Sequence, residues 1–485
     1  MPLWRREGPP LLPDGEAWRR RFDRWLRRPR VGSALDLVGS AIVLGDVDAA
    51  QELLAWLGAQ GVAQDRVGRV VAWVNRGAID RVRHSTEEST GEWRQRIGVL
   101  KSLLRQDPRD ALRWCDVALA YAALGQEGGA RSAMRMATAL AGSNRLILRN
   151  AVRMFAHFED PEMAARMLRG WDHTREDPWL LAALYSVEDL TEQRRTSRRV
   201  GVRLVESRRH SPRQTSELSA AIATDMLGSG EDRRARTWFR GSLESPTENS
   251  LAQVEWANSR IGGLSTEIEL TRGAESGEAL SWMSLHDEQW EDALKQSLVW
   301  RSLEPFASQP AIVASYVCGS LLGRHLDAIP ICEAGLRANP RDLVLLNNLA
   351  FSLLSAGQVR AGLEVLERVG QSRTELPVDI ALTATRGLAE YRQGRAGLGR
   401  VLYSEAVDLA VTRRNQSAAA IAKGYWAREE ARENRSEATK LMADARATLP
   451  PGDDWQGKRV LDVIEEEIRE VVSQGVGPQP DGGRG

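Results

Sequence analysis

Lysine is almost missing from this chain. Its 485 residues include only 5 lysines against 61 arginines, yet basic and acidic residues balance at 66 each. A formal net charge of zero excludes a global field that would draw the chain to nucleic acid or anionic lipid. Arginine clusters must also be discounted, since in so arginine-rich a chain they arise by chance. Cysteine is scarce: Cys115, Cys318 and Cys332 form no C-x-x-C pair and cannot all pair with one another, which fits a reducing, cytoplasmic setting. The six histidines (His84, His157, His173, His210, His286 and His325) form no HExxH or His-Cys cluster, so no metal site is expected. No stretch approaches the roughly 18 uncharged apolar residues of a membrane span. The opening MPLWRR lacks the apolar core of a secretory signal. With no G-x-S-x-G elbow and no G-x-G-x-x-G loop, no catalytic residue or cofactor is indicated, and the chain is expected not to be an enzyme.

What is abundant points to helix. Ala, Leu, Arg and Glu dominate, whereas Tyr and Phe number six each and β-branched runs are rare. A chain of this length exceeds one compact core, so several domains or a repeating array are expected. A repeat is legible at 111–144, ALRWCDVALAYAALGQEGGARSAMRMATALAGSN. Numbered from 1 to 34, it places Trp114 at 4, Tyr121 at 11, Gly125 at 15, Ala130 at 20, Met134 at 24 and Ala137 at 27. Positions 4, 7, 8 and 11 share one face of a first helix, and 20, 24 and 27 the facing side of a second. Small residues at 8 and 20 allow close approach, and Gly at 15 ends the first helix. The pattern recurs from 145 (Phe155, Ala164, Leu168), 309 (Gly323, Ala328, Pro340), 343 (Leu346, Ala350, Gly357), 380 (Gly387, Gly394, Tyr403) and 419 (Trp426, Ala438, Ala445). Weaker copies start at 31, 216 (Ala223, Gly230, Ala235) and 274, and the spans 62–108 and 178–212 read as drifted helix pairs.

This spacing resembles the tetratricopeptide repeat (TPR) family over most of the chain. The resemblance implies an all-α fold of antiparallel helix pairs stacked into a right-handed superhelix, an α-solenoid. The expected layout is a basic, aromatic N-terminal segment or capping helix at 1–30, about ten helix pairs over 31–450, a C-terminal capping helix at 451–474 and a disordered tail at 475–485.

Three segments invite chemistry. Gly452–Arg459 matches G-x-x-x-x-G-K, but Arg459 stands where Ser or Thr should hold Mg²⁺, and no strand precedes it. A polar linker into the last helix is the expected reading. Residues 18–30 put Trp18, Phe22 and Trp25 on one helical face ringed by arginine; such a helix could dock on the array, lie on a membrane surface or contact nucleic acid. Residues 194–213 carry eight arginines offset only by Glu206, either a solvated face or an anion-binding patch.

The family resemblance implies that first helices line a concave groove, with positions 2, 5, 6, 9, 12 and 13 facing it. Those positions hold Arg149, Asn150, Arg153 and His157, then Asn347, Asn348 and Phe351, then Tyr391, Arg392 and Lys423. The family's carboxylate clamp for acidic C-termini is not preserved: Val313 and Val317 occupy the places of its first Lys and Asn, and only Asn348 matches. The function expected is a cytoplasmic protein-interaction scaffold or adaptor, a subunit of a larger complex, holding a protein or peptide in the groove. An acidic or phosphorylated segment would complement Arg149 and Arg153. The alternative is a nucleic-acid-associated regulatory subunit using 18–30 and 194–213. No membrane partner is expected.

Overall fold

The computed structural model describes residues 22–29, 34, 37, 47–60, 90–142, 144–190, 197–264, 277–370, 378–433, 435–450 and 454–473. No strand occurs among them. The expected repeat from 31, the span 62–89 and the tail 475–485 lie wholly or largely outside the described residues. The chain forms two compact units, 1–122 with 126–274, and 123–125 with 275–485.

In the first unit, α1 (Val47–Ala59) and α2 (Thr90–Gln106) precede the helix pairs. Trp25, almost fully buried, meets Trp56 of α1 edge-on at 5.3 Å, so this residue of the N-terminal segment packs on α1. Next come α3 (Ala111–Ala123) and α4 (Glu127–Leu140), α5 (Arg145–His157) and α6 (Pro161–Arg169), α7 (Pro178–Leu190) and α8 (Ser197–Glu206), α9 (Pro212–Gly228) and α10 (Asp232–Ser242), and then α11 (Glu248–Ile261). The drifted span 178–212 is therefore a true helix pair.

The second unit holds α12 (Gly277–His286) and α13 (Trp290–Leu303), then α14 (Gln309–Tyr316), whose last turn widens into a π-helical segment at Val317–Leu321, and α15 (His325–Ala338). It continues with α16 (Leu343–Ser355) and α17 (Val359–Gly370), α18 (Asp379–Arg392) and α19 (Ala396–Thr412), α20 (Gln416–Glu433) and α21 (Arg435–Thr448). The last helix is α22 (Trp455–Ser473).

One turn geometry explains why the pairs recur. Gly125, Gly230, Gly323, Gly357 and Gly394, each at position 15 of its repeat, all adopt a left-handed backbone with φ between 66° and 80°. That conformation lets the chain reverse straight into the second helix, and glycine adopts it without a Cβ penalty. Glu159 and Glu288 hold the same position in their own repeats at φ 55° and 58°. The reversal is thus imposed by packing even where the residue disfavours it.

The packing is equally local. Ala118, Ala130, Ala164, Ala223, Ala235, Ala328 and Ala350 are fully buried, so paired helices close on methyl groups at the expected positions 8 and 20. First helices also stack on first helices: α5 on α7, α7 on α9 and α9 on α11 in the first unit, and α14 on α16, α16 on α18 and α18 on α20 in the second. Each unit therefore presents a face built only from first helices.

Candidate protein-binding faces

In the first unit, side-chain caps set the start of each first helix and hence which residues face outward. Asn144 Oδ1 accepts from the backbone amides of Leu146 and Ile147 at 3.0 and 3.2 Å, and Asp177 Oδ1 accepts from Trp179 at 3.0 Å. Capping boxes start α9 at Ser211 and α11 at Thr247. The registers bring Arg149 of α5 across α7 to α9: its Nη2 donates to Glu217 Oε2 at 2.8 Å, and its guanidinium lies 5.6 Å from the Trp179 ring between them. Asn249 Nδ2 of α11 donates to the same Glu217 oxygen at 3.4 Å. One residue from each of four successive first helices thus joins a single polar and aromatic strip. Further along α11, Arg260 covers the Trp256 ring at 3.8 Å, and burial lowers its pKa from the ordinary arginine value.

The groove residues expected on α5 fall into three environments. Arg149 is ion-paired rather than unengaged, with a quarter of its side chain exposed. Asn150 reaches the buried Cys115 thiol, which burial and the Asp116 charge push up to about 12. Arg153 is exposed, and His157 packs against Phe158 at a 5.1 Å ring separation.

In the second unit most of the expected groove residues serve the protein's own packing. Asn347 is buried, and its Oδ1 has no hydrogen-bond partner among the described residues. Asn348 Nδ2 donates to Ser315 Oγ at 3.1 Å. Phe351 sits edge-on to His325 at 5.3 Å and to Tyr425 at 4.9 Å. Tyr391 is buried: its hydroxyl donates to Glu430 and accepts from Trp426 Nε1 at 3.0 Å. Burial and Glu430 hold this phenol well above the usual tyrosine range. Arg392 donates to Glu429 at 3.1 Å, and burial lowers it to about 10. Lys423 turns to the second helix of its own pair, meeting Asp444 at 2.7 Å and Thr448 at 3.0 Å. The expectation that Tyr391, Arg392 and Lys423 stand open on a groove meets a physical obstacle. Helix α20 runs longer than a standard first helix and brings its own acids, Glu429 and Glu430, against α18.

The same face carries α22. Val313, Val317 and Leu321 of the first-helix row pack in one cluster with Ala427 of α20 and with Val460, Leu461 and Ile464 of α22. Gly424 makes room: a Cβ there would lie 2.4 Å from Leu461 Cδ2. Glu467 bridges two elements, accepting from Arg428 Nη1 at 2.9 Å and meeting His325 Nε2 at 2.8 Å. Burial alone would raise the Glu467 carboxyl, but Arg428 and His325 overcome it and hold it at about 2. Arg459 Nε donates to Leu321 O at 2.9 Å, at the end of the π-helical turn, and Trp455 stacks on Trp290 at 5.3 Å. The capping helix expected at 451–474 is thus laid on the first-helix face. Of the phosphate-loop lookalike, the described residues 454–459 make its first turn, where Asp454 Oδ1 accepts from the Gly457 amide at 2.9 Å.

Of the arginines in 194–213, those at 194 and 195 lie outside the described residues. Arg198 is paired with Asp225 at 3.3 Å and Glu231 at 3.1 Å, while Arg199, Arg203, Arg208 and Arg209 are exposed. Among the described residues no group of three or more His, Cys, Asp or Glu could hold a metal ion, and no helix is long and apolar enough to cross a membrane. Sequence reasoning missed Trp179, Glu217 and the seat of α22. The available signals were Trp179 at position 2 of a drifted repeat, and valines at groove positions 5 and 9, where a water-filled groove would favour polar side chains.

No family model and no curated protein matches the chain. Three solved TPR-type solenoids align along most of it. Yeast Tom70 is 13% identical, covers 92% of this chain and 96% of its own, and has a TM-score of 0.34. The human IFIT1 dimer with PPP-AAAA is 12% identical over 94% and 95% at 0.33. Cut9–Hcn1, an APC/C hetero-tetramer, is 12% identical over 92% and 98% at 0.31.

Proposed function

We propose that this chain is a non-enzymatic protein-interaction scaffold, and that it holds an acidic peptide segment of a partner across the first-helix face of its first unit. The observation that carries this reading is the strip formed by Arg149, Trp179, Glu217 and Asn249 on four adjacent helices. An extended peptide lying across such helices meets guanidinium, indole, carboxylate and amide groups in turn. Arginine pairs with carboxylate or phosphate through two parallel bonds, and asparagine serves a peptide backbone as donor and acceptor. Arg153 and Arg213, both exposed, extend the basic character along α5 and α9. Asn150 and His157 lie on the same helix as Arg149 and Arg153.

The test is direct binding of a fluorescein-labelled peptide rich in Asp and phosphoserine, read by anisotropy. The wild-type chain is expected to bind it. Arg153→Glu and Trp179→Ala should each weaken binding at least fivefold while helicity stays unchanged. The swap Arg149→Glu with Glu217→Arg keeps the pair and should weaken binding less than either. Absence of binding, or binding indifferent to all three changes, rejects the reading. A single-stranded RNA oligonucleotide provides the other arm. Its capture, lost on replacing Arg199, Arg203, Arg208 and Arg209, would favour a nucleic-acid-associated subunit.

A further inference from the structure

The second unit's first-helix face has an occupant already. Its floor is apolar and small where the first unit's face is polar: Val313, Val317 and Leu321 on one side, Gly424 and Ala427 on the other. Into it α22 lowers Val460, Leu461 and Ile464, with Glu467 one turn beyond Ile464. The receiving arginine does not depend on α22. Arg428, only 2% exposed, keeps Glu429 as a counter-ion at 2.8 Å and donates to Ser355 Oγ at 3.3 Å, beside the rings of Phe351 and Tyr425. Glu429 is in turn held by Arg392. Arg428 thus keeps a counter-ion and a hydroxyl acceptor of its own when α22 is away, and the socket is lined by α14 with its π-helical extension, by His325 of α15, and by α16 and α20.

We infer that this face is a receptor for an amphipathic helix carrying a paired apolar stripe and a carboxylate one turn after it, and that α22 is its internal ligand. A partner helix of the same pattern, apolar at the places of Val460, Leu461, Val463 and Ile464 and acidic at that of Glu467, competes with α22 for the socket. Recognition is of the helix-in-groove kind, with side chains three and four apart as anchors and the buried acid fixing direction. Release of α22 by such a partner would make binding and unmasking one event, independent of the acidic-peptide reading of the first unit.

The experiment keeps the full chain. A protease recognition sequence inserted between Pro450 and Asp454 lets the protein fold complete before it is cut. A labelled peptide spanning Asp454–Ser473 is then added to cut and uncut protein. The cut protein is expected to exchange its own α22 for the labelled peptide and remain helical, whereas the uncut protein binds it at least tenfold more weakly. A Glu467→Ala peptide should bind the cut protein at least tenfold more weakly, and a Leu461→Asp peptide not at all. Equal binding by cut and uncut protein would place the peptide elsewhere. Loss of helicity in the body once α22 leaves would make α22 part of the core rather than a ligand. Indifference to Glu467→Ala would remove the acid from the recognition pattern. Each of these three results overturns the inference.

Discussion

The two units present the same kind of face and furnish it in opposite ways. In the first, adjacent first helices contribute Arg149, Trp179, Glu217 and Asn249, a strip of charge, indole and amide near the surface. In the second, the equivalent row contributes Val313, Val317 and Leu321, and α22 covers them. The helix-pair architecture constrains positions that face the other helix of the pair, where alanine recurs. It leaves the outward positions of the first helix free to vary. The polarity of those positions therefore reports what each face touches: water in one unit, a helix in the other.

The sharpest way to break this comparison is Leu461→Asp. It places a carboxylate with no partner at a fully buried position on α22. Uncompensated buried charge costs about 3–5 kcal/mol, so α22 should undock and the urea midpoint should fall. Trp179→Ala on the half-buried strip of the first unit should cost about 1–2 kcal/mol. If the tryptophan change proves the more damaging in urea titrations, the first face is core rather than binding surface.

Acid should act on the second face through Glu467, whose hydrogen-bond partners are Arg428 and His325, with the Tyr425 phenol nearby. Its carboxyl is depressed from 4.5 to about 2, so its contribution is complete above about 4.5 and is lost as pH falls towards 2. Hydrogen exchange of α22 should accelerate over that window in the wild type. In Glu467→Gln the exchange should be fast already at neutral pH and change less on acidification. Equal acid sensitivity in both proteins would remove the carboxylate as the latch.

The smallest effects test what the units share. Glu159 and Glu288, one in each unit, carry the left-handed turn that glycine carries elsewhere. A left-handed conformation costs a residue with a Cβ roughly 1–2 kcal/mol, part of which glycine returns through unfolded-state entropy. Glu159→Gly and Glu288→Gly should each raise stability by about 0.5–1 kcal/mol, and Gly357→Ala should lower it by about 1 kcal/mol. Thermal unfolding would show a gain from the first two and a loss from the third. A loss from all three would mean that the glutamates make compensating contacts.

The fold was legible because its determinants are local. A glycine at position 15 and small residues at 8 and 20 act within 34 residues, and several repeats state them again. The faces were only partly legible because their determinants are remote. Arg149 meets an acid 68 residues away, and Glu467 meets a histidine 142 residues away. Tyr391 and Arg392 occupy groove positions by spacing, yet the acids of a lengthened α20 draw them inward. Val313 and Val317 were visible as apolar residues in a polar register, but the segment that covers them lies more than 140 residues further along the chain.

Burial of Arg428 has a consequence for ionic strength. Mobile ions screen charges that they can approach and leave enclosed ones largely untouched, with a screening length of about 8 Å under physiological conditions. The contact of Arg428 with Glu467 is therefore insulated, and the apolar stripe beside it tightens in strongly hydrated salts. Arg153 and Arg213 on the first unit are open to screening. Rising salt should thus loosen an acidic peptide from one face while leaving the helix on the other seated, so that a single variable of the solution separates two modes of recognition within one chain.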